Sequence, residues 1–191
     1  MKKILVATVL ALFGIANANA QEVQFGAKAG INIATLNGDI SKDADAVTAF
    51  HFGLMAEIPL SEKFSFQPEV LYSGQGFSLG ENSTFELNYL NVPLMGKYYV
   101  AKGLSLEAGP QIGFLLSAKA ESVDTKKLYK NVDLGVNFGL GYKLDNGLNF
   151  EARYNLGLSD VNDGNANLDI GVNGFKNQNG VFQISIGYFF F

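Results

Sequence analysis

The stretch Val132-Asp133-Leu134-Gly135-Val136-Asn137-Phe138-Gly139-Leu140-Gly141-Tyr142-Lys143 runs through Leu144-Asp145-Asn146-Gly147 into Leu148-Asn149-Phe150-Glu151-Ala152-Arg153-Tyr154-Asn155-Leu156. On both arms every second side chain is apolar, and those between are small or polar. A period of two is the signature of a β-strand. Asp145-Asn146-Gly147 between the arms is a tight hairpin turn.

The same alternation recurs outward in both directions and gives eight segments in all. On the amino-terminal side they carry the apolar series Val23 to Ile33, Phe50 to Ile58, Phe64 to Tyr72, Leu90 to Tyr98 and Leu104 to Phe114. On the carboxyl-terminal side the series runs from Phe182 to Phe190. Connections alternate in length. Ser61-Glu62-Lys63, Ala101-Lys102-Gly103 and Asp145-Asn146-Gly147 are short, whereas polar stretches near 37–48, 75–86, 117–130 and 159–179 are long. This rhythm predicts an all-β, eight-stranded antiparallel transmembrane up-and-down barrel, with its short turns and both termini in the periplasm.

Composition agrees. Of 191 residues 22 are glycine, 13% are aromatic and only 17% are charged. There is no cysteine, which excludes disulfides, thiol nucleophiles and thiolate metal sites. Lys2 and Lys3, the apolar run Ile4 to Ala16, and Ala18-Asn19-Ala20 have the order of a secretory signal peptide. We therefore expect a signal peptide over 1–20 and one barrel domain over 21–191. Without Lys2 and Lys3, 12 basic residues face 18 acidic ones, a net charge of −6. That balance argues against a nucleic-acid partner. Past residue 21 no apolar run approaches the length of a spanning helix, so a membrane form must be a closed barrel.

Volume decides which face meets lipid. An eight-stranded barrel has room inside only for its own side chains. The apolar set is crowded with Phe, Tyr, Leu and Ile, and the polar set with Gly, Ser, Asn and Gln, so the apolar face looks outward. Tyr98, Phe64, Phe66, Phe150 and Tyr188 lie near the short turns. Phe50, Phe52, Tyr72, Phe114 and Phe182 lie near the long connections, giving two aromatic bands for the two interfaces. The inward face then carries Lys28, Glu57, Glu69, Lys97, Glu107, Glu151 and Arg153 in one layer, with Lys143 and Asp133 nearer the strand ends. Buried charges must pair. These seven are the candidate site: a barrel-interior ion-pair network that plugs the barrel.

Chemistry beyond that is sparse, and no catalytic, cofactor-binding or metal site is expected. His51 is the only histidine, so histidine-rich metal sites are excluded. Small outer-membrane barrels that modify lipid A need a histidine beside a serine and a carboxylate. His51 falls on the inner face, away from lipid, and reads as an interior polar residue. Asp160-Val161-Asn162-Asp163-Gly164-Asn165 misses the calcium-loop spacing, with glycine one place early and no glutamate at Gly171. Asn82-Ser83-Thr84 fits a glycosylation pattern that means little in a bacterial envelope.

Four stretches carry a family resemblance: Phe25-Gly26-Ala27-Lys28-Ala29-Gly30-Ile31-Asn32, Gln67-Pro68-Glu69-Val70-Leu71-Tyr72-Ser73, Leu90-Asn91-Val92-Pro93-Leu94-Met95-Gly96-Lys97-Tyr98-Tyr99 and Gly109-Pro110-Gln111-Ile112-Gly113. The chain resembles the outer-membrane β-barrel family of Bacteroidota, known as porin family or PorT-like proteins. The resemblance implies an eight-stranded barrel inserted by the outer-membrane assembly machinery. It implies no single activity, although one branch serves type IX secretion. One departure is the ending Phe189-Phe190-Phe191, where the alternating series stops at Phe190, one short of the terminus.

The resulting expectation is a non-enzymatic outer-membrane protein without cofactor, monomeric, in contact with outer-membrane lipid. Its role is structural or loop-mediated, with an extracellular or envelope protein as possible partner. A small porin-like pore, an accessory subunit of a type IX-like system and a lipid-modifying enzyme are the alternatives, in falling order.

Overall fold

Eight long strands follow one another in the computed structural model, which describes residues 23–38, 44–78, 84–120, 123–161 and 177–190. They are β1 (Gln24–Gly38), β2 (Asp45–Pro59), β3 (Phe64–Ser78), β4 (Thr84–Tyr99), β5 (Leu104–Ala120), β6 (Val132–Lys143), β7 (Leu148–Gly157) and β8 (Asn177–Phe189). The signal segment, Asn82, Ser83, residues 162–165, Gly171 and Phe191 lie outside the described residues.

Every strand pairs antiparallel with its sequence neighbours, and β1 pairs with β8 from Gly26↔Phe189 to Gly38↔Asn177. The sheet therefore closes on itself as an up-and-down barrel, which leaves no edge strand unpaired. Beyond β8, the Phe190 amide still donates to the Phe25 carbonyl at 2.7 Å, so the seam runs to the last described residue.

Tight turns join β2 to β3, β4 to β5 and β6 to β7 at one end, called here the turn end. In the β6–β7 turn Gly147 has φ +88°, and a Cβ there would stand 2.6 Å from the Phe189 carbonyl oxygen. Glycine alone fits that conformation and that approach.

The outward row is apolar through mid-barrel: Phe52, Leu54, Leu106, Ile112, Leu134, Phe138, Leu140, Ile184 and Ile186 are all exposed. The inward row holds the buried Lys, Glu, Asn and Gln side chains. Such an inversion is stable only where the surrounding solvent is hydrocarbon. Of the two aromatic bands, Phe64, Tyr98, Phe150 and Tyr188 are exposed near the turns, and Phe50, Phe52 and Phe182 towards the other end.

Strands β1 to β5 run 15–17 residues, more than the roughly 9–11 that a bilayer requires. The alternation in the sequence marks shorter segments. Beyond the membrane the strands continue with the opposite polarity: Leu36, Phe77 and Leu87 point inward and are buried, while Glu86, beside Leu87, is exposed. The wall is lower on the other side, where β6 and β7 have 12 and 10 residues. Alongside the overhang of β5 the chain folds back. Lys119 pairs with Asp124, the Thr125 amide donates to the Ala118 carbonyl, and the Leu115 amide donates to the Asn131 carbonyl. Much of the polar stretch expected over 117–130 is thus ordered against the barrel mouth.

Candidate functional site: a layered barrel interior

The interior is stacked in three layers of different chemistry. The layer nearest the turn end is ionic, because the inward positions of β1, β3, β4, β5 and β7 at that depth are Lys28, Glu69, Lys97, Glu107, Glu151 and Arg153. Arg153 is its centre. The guanidinium meets Glu69 at 2.7 Å through Nη1, and through Nη2 it meets Glu107 at 2.8 Å and Glu151 at 2.9 Å. Its Nε also donates to Glu107 at 2.9 Å, on the same Oε2 that Nη2 approaches. Lys28 bridges Glu69 and Glu151 at 2.8 and 2.6 Å. Lys97 lies 3.2 Å from Glu107 and 3.8 Å from Glu57.

All seven residues singled out in the sequence are brought together here. An eighth joins them: Lys143 reaches down from the end of β6 to Glu57 at 2.8 Å. Four cations therefore face four carboxylates, and the formal charges of the layer cancel. Neutral neighbours add further hydrogen bonds to the carboxylates. Gln67 donates to Glu69 and Glu151 and accepts from Lys97 at 3.0 Å, Asn149 donates to Glu151, and Ser105 to Glu107. Tyr99 donates to Glu57 below, where Lys143 lies over the Tyr99 and Phe189 rings. Space for this crowding comes from glycine. A Cβ on Gly139 would meet Arg153 Cγ at 2.6 Å, and one on Gly141 would overlap Glu107 and Ser105.

The middle layer is neutral and polar. Asn32 Nδ2 donates to the Gly74 carbonyl at 2.6 Å, which fixes the amide and turns its oxygen toward His51. His51 Nδ1 lies 2.7 Å from that oxygen and Nε2 lies 2.7 Å from the Ser185 hydroxyl. Because an amide oxygen only accepts, the proton sits on Nδ1 and Nε2 accepts from Ser185. A serine does stand beside the histidine, but an amide replaces the carboxylate of a hydrolytic triad, and an amide supplies no charge for an imidazolium. His51 is buried, so bilayer lipid does not meet it. Across the barrel Asn155 donates to Asn137 and Asn137 to Gln111, both at 3.1 Å. Among the described residues, no group of three His, Cys, Asp or Glu side chains is placed to hold a metal ion.

The third layer, at the long-connection end, is apolar. Leu36, Phe77, Leu87, Tyr89, Leu115 and Ala118 cluster with Tyr129 and Val161 from the connecting segments. Phe77 stacks on Phe85 with centroids 4.7 Å apart. Burial pushes the Tyr129 phenol up to about 12, so it stays neutral. Asp133 does not join the ionic layer. It sits under this cap, accepting from Asn179 at 2.9 Å and from Ser159, while Asn179 also reaches the Tyr89 hydroxyl at 3.4 Å.

Residues 18–163 match the family described as outer membrane protein beta-barrel domain. The chain belongs to that family. Its place is thus the outer membrane, in agreement with the apolar outer face. The barrel is similar to the crystal structure of neisserial surface protein A, NspA, with a TM-score of 0.58 at 13% identity over 89% of this chain and 100% of that one. It is also similar to Ail, the attachment invasion locus protein of Yersinia pestis, crystallised with the heparin analogue sucrose octasulfate. There the TM-score is 0.52 at 15% identity, again over 89% and 100% of the two chains. Among curated proteins none matches this sequence. At such identities the likeness is one of fold.

Sequence reasoning missed two parts of this family member's interior. By sequence Lys143 stands apart, since it lies at a strand end, but a lysine stem carries its ammonium several ångströms along the wall. Tyr129 and Val161 come from connections without periodicity. The only signal was an apolar pair, Leu128-Tyr129, inside a lysine-rich run.

Proposed function

We propose that this protein is a sealed outer-membrane pedestal whose function resides in the connections at its long-loop end, where they meet an extracellular or envelope partner. The observation that carries this reading is the ionic layer. Four cations and four carboxylates interlock across the barrel, with Arg153 and Lys28 side chains almost fully buried. A solute-conducting path at that depth would have to break several buried ion pairs, each costing about 3–5 kcal/mol when one partner is lost. The reading therefore includes no conduction and no catalysis, and the protein acts as a monomer without cofactor.

Ail supports the same emphasis, since it is described as an attachment protein and was crystallised with a sulfated ligand. The four stretches quoted above support a Bacteroidota-type, PorT-like assignment. The proposal also has the precursor cut after Ala20 and the chain inserted by the outer-membrane assembly machinery. Amino-terminal sequencing of the purified protein is expected to begin at Gln21.

Planar-bilayer recording tests the central point. The purified protein should give no stable conductance steps at moderate voltage. Reproducible open-channel steps would overturn the sealed pedestal and favour the small pore.

A further inference from the structure

The surface lysines of the long-loop end are gathered on one side of the barrel. Among the described residues they are Lys119, Lys126, Lys127 and Lys130, all between the top of β5 and the start of β6. Lys119 stands across from Glu86 on β4 and from Asp124, so acids flank it on both sides. The other three are differently placed. Asp124 turns its Oδ1 to the Lys126 amide at 2.9 Å rather than to an ammonium group. Among the described residues none of Lys126, Lys127 and Lys130 is ion-paired, whereas Lys28, Lys97, Lys102, Lys143 and Arg153 all are.

Their height along the barrel is set by the strands. On β5 the outward row from Leu104 to Phe114 is eleven residues long, and a tilted strand crosses a bilayer in about 9–11. Leu116, exposed, comes just above it, and the Lys126 ammonium donates to the Leu116 carbonyl at 2.9 Å. Lys127 follows, exposed, in the short 3-10 turn Lys126–Leu128. On β6, which pairs with β5 from Phe114↔Val132, the outward Val132 and Leu134 are exposed. Lys130, also exposed, stands two places before Val132. Three cations thus lie on the rim of an apolar wall, at headgroup depth. Like charges repel, and hydrocarbon below the rim weakens the screening that water gives. A phosphate relieves that repulsion and accepts charge-assisted hydrogen bonds from the ammonium groups.

We propose that Lys126, Lys127 and Lys130 hold the phosphate of an outer-leaflet glycolipid whose acyl chains lie on Leu116, Val132 and Leu134. A soluble polyanion would meet the lysines but make no use of the exposed apolar wall directly beneath them. That wall selects an acylated partner. The inference goes beyond the sealed pedestal and is independent of the ionic layer, so bilayer conductance does not test it. It needs only that the long-loop end lie at the outer leaflet.

Native mass spectrometry of the folded protein in detergent micelles reads the binding. Phosphorylated lipid A is titrated beside the same lipid after dephosphorylation. The unaltered chain should hold the phosphorylated form at least about tenfold more tightly. The triple change Lys126→Gln, Lys127→Gln and Lys130→Gln should erase that preference. Arginine at the same three positions should keep it, and Lys63→Gln with Lys102→Gln at the turn end should leave it unchanged. Heat-modifiable gel mobility checks that each variant is folded. Inorganic phosphate and heparin, which have no acyl chains, should displace the lipid only at far higher concentration. Equal binding of the two lipids, or equal preference in the unaltered and glutamine forms, would overturn the site. Displacement by heparin or phosphate at the lipid's own concentration would overturn the glycolipid in favour of a soluble anion.

Discussion

The two ends of the barrel interior are closed by opposite chemistries. At the turn end, eight charged side chains from seven strands interlock in ion pairs of 2.6 to 3.8 Å, and each carboxylate has at least two partners. At the other end, aliphatic and aromatic side chains pack with two residues from connecting segments. The difference follows from what surrounds each layer. Within the bilayer the outer face must be apolar, so the interior receives the polar residues. Above the bilayer the outer face is wetted, and the interior reverts to an ordinary hydrophobic core. One cylinder therefore holds two kinds of protein core, divided by a belt of amides around His51.

Breaking the ionic end should have the largest effect. Arg153→Ala leaves Glu69, Glu107 and Glu151 with two lysines between them, and is expected to lower unfolding free energy by about 3–5 kcal/mol. Denaturant titration in micelles measures it; a loss below about 1 kcal/mol would show that the layer is not a unit.

Leu87→Ala attacks the apolar end. Removing a fully buried leucine side chain should cost about 2–4 kcal/mol. The comparison sharpens if hydrogen exchange shows where that loss is felt. Amides of the upper strand ends and of segments 123–131 should exchange faster, while those beside Arg153 stay protected.

His51→Ala, in the belt between, strips Asn32 and Ser185 of one hydrogen bond each and should cost about 1–3 kcal/mol. A change as large as that of Arg153→Ala would join the belt to the ionic layer. Smallest of all, Lys102→Ala removes an ion pair of 2.6 Å to Asp145 that is wide open to solvent. No measurable change in unfolding midpoint is expected, because exposed pairs are screened. Equal geometry with unequal consequence isolates burial as the cause.

How much of this could be read in advance differs between the same two ends. The lower interior was legible because lipid enforces a strict alternation there: a charge such as Glu107 or Arg153, set between Leu106 and Ala108 or Ala152 and Tyr154, can only point inward. The upper interior was not. At Leu36, Phe77 and Leu87 the period of two persists while its polarity inverts, so a reader following one apolar face sees the strand stop. The shift between Asn88 and Tyr89, where β4 and β5 slip by a residue, also brings Leu115 and Ala118 to the same face although their spacing is odd. His51 was legible as inward, but its partners Asn32 and Ser185 lie 19 and 134 residues away, and only closure of the barrel brings them together.

The salt bridge between Lys28 and Glu151 joins the first strand to the seventh, 123 residues apart. Through β2 the first strand already holds Lys28 near Glu69 on the third, but until β1 meets β8 the Glu151 carboxylate stands on the far side of an open seam. A sheet that enters the bilayer with its seam open therefore carries an electrostatic penalty that closing the seam removes. Closing the perimeter thus completes the backbone pairing of β1 with β8 and the ion pairing of the interior together.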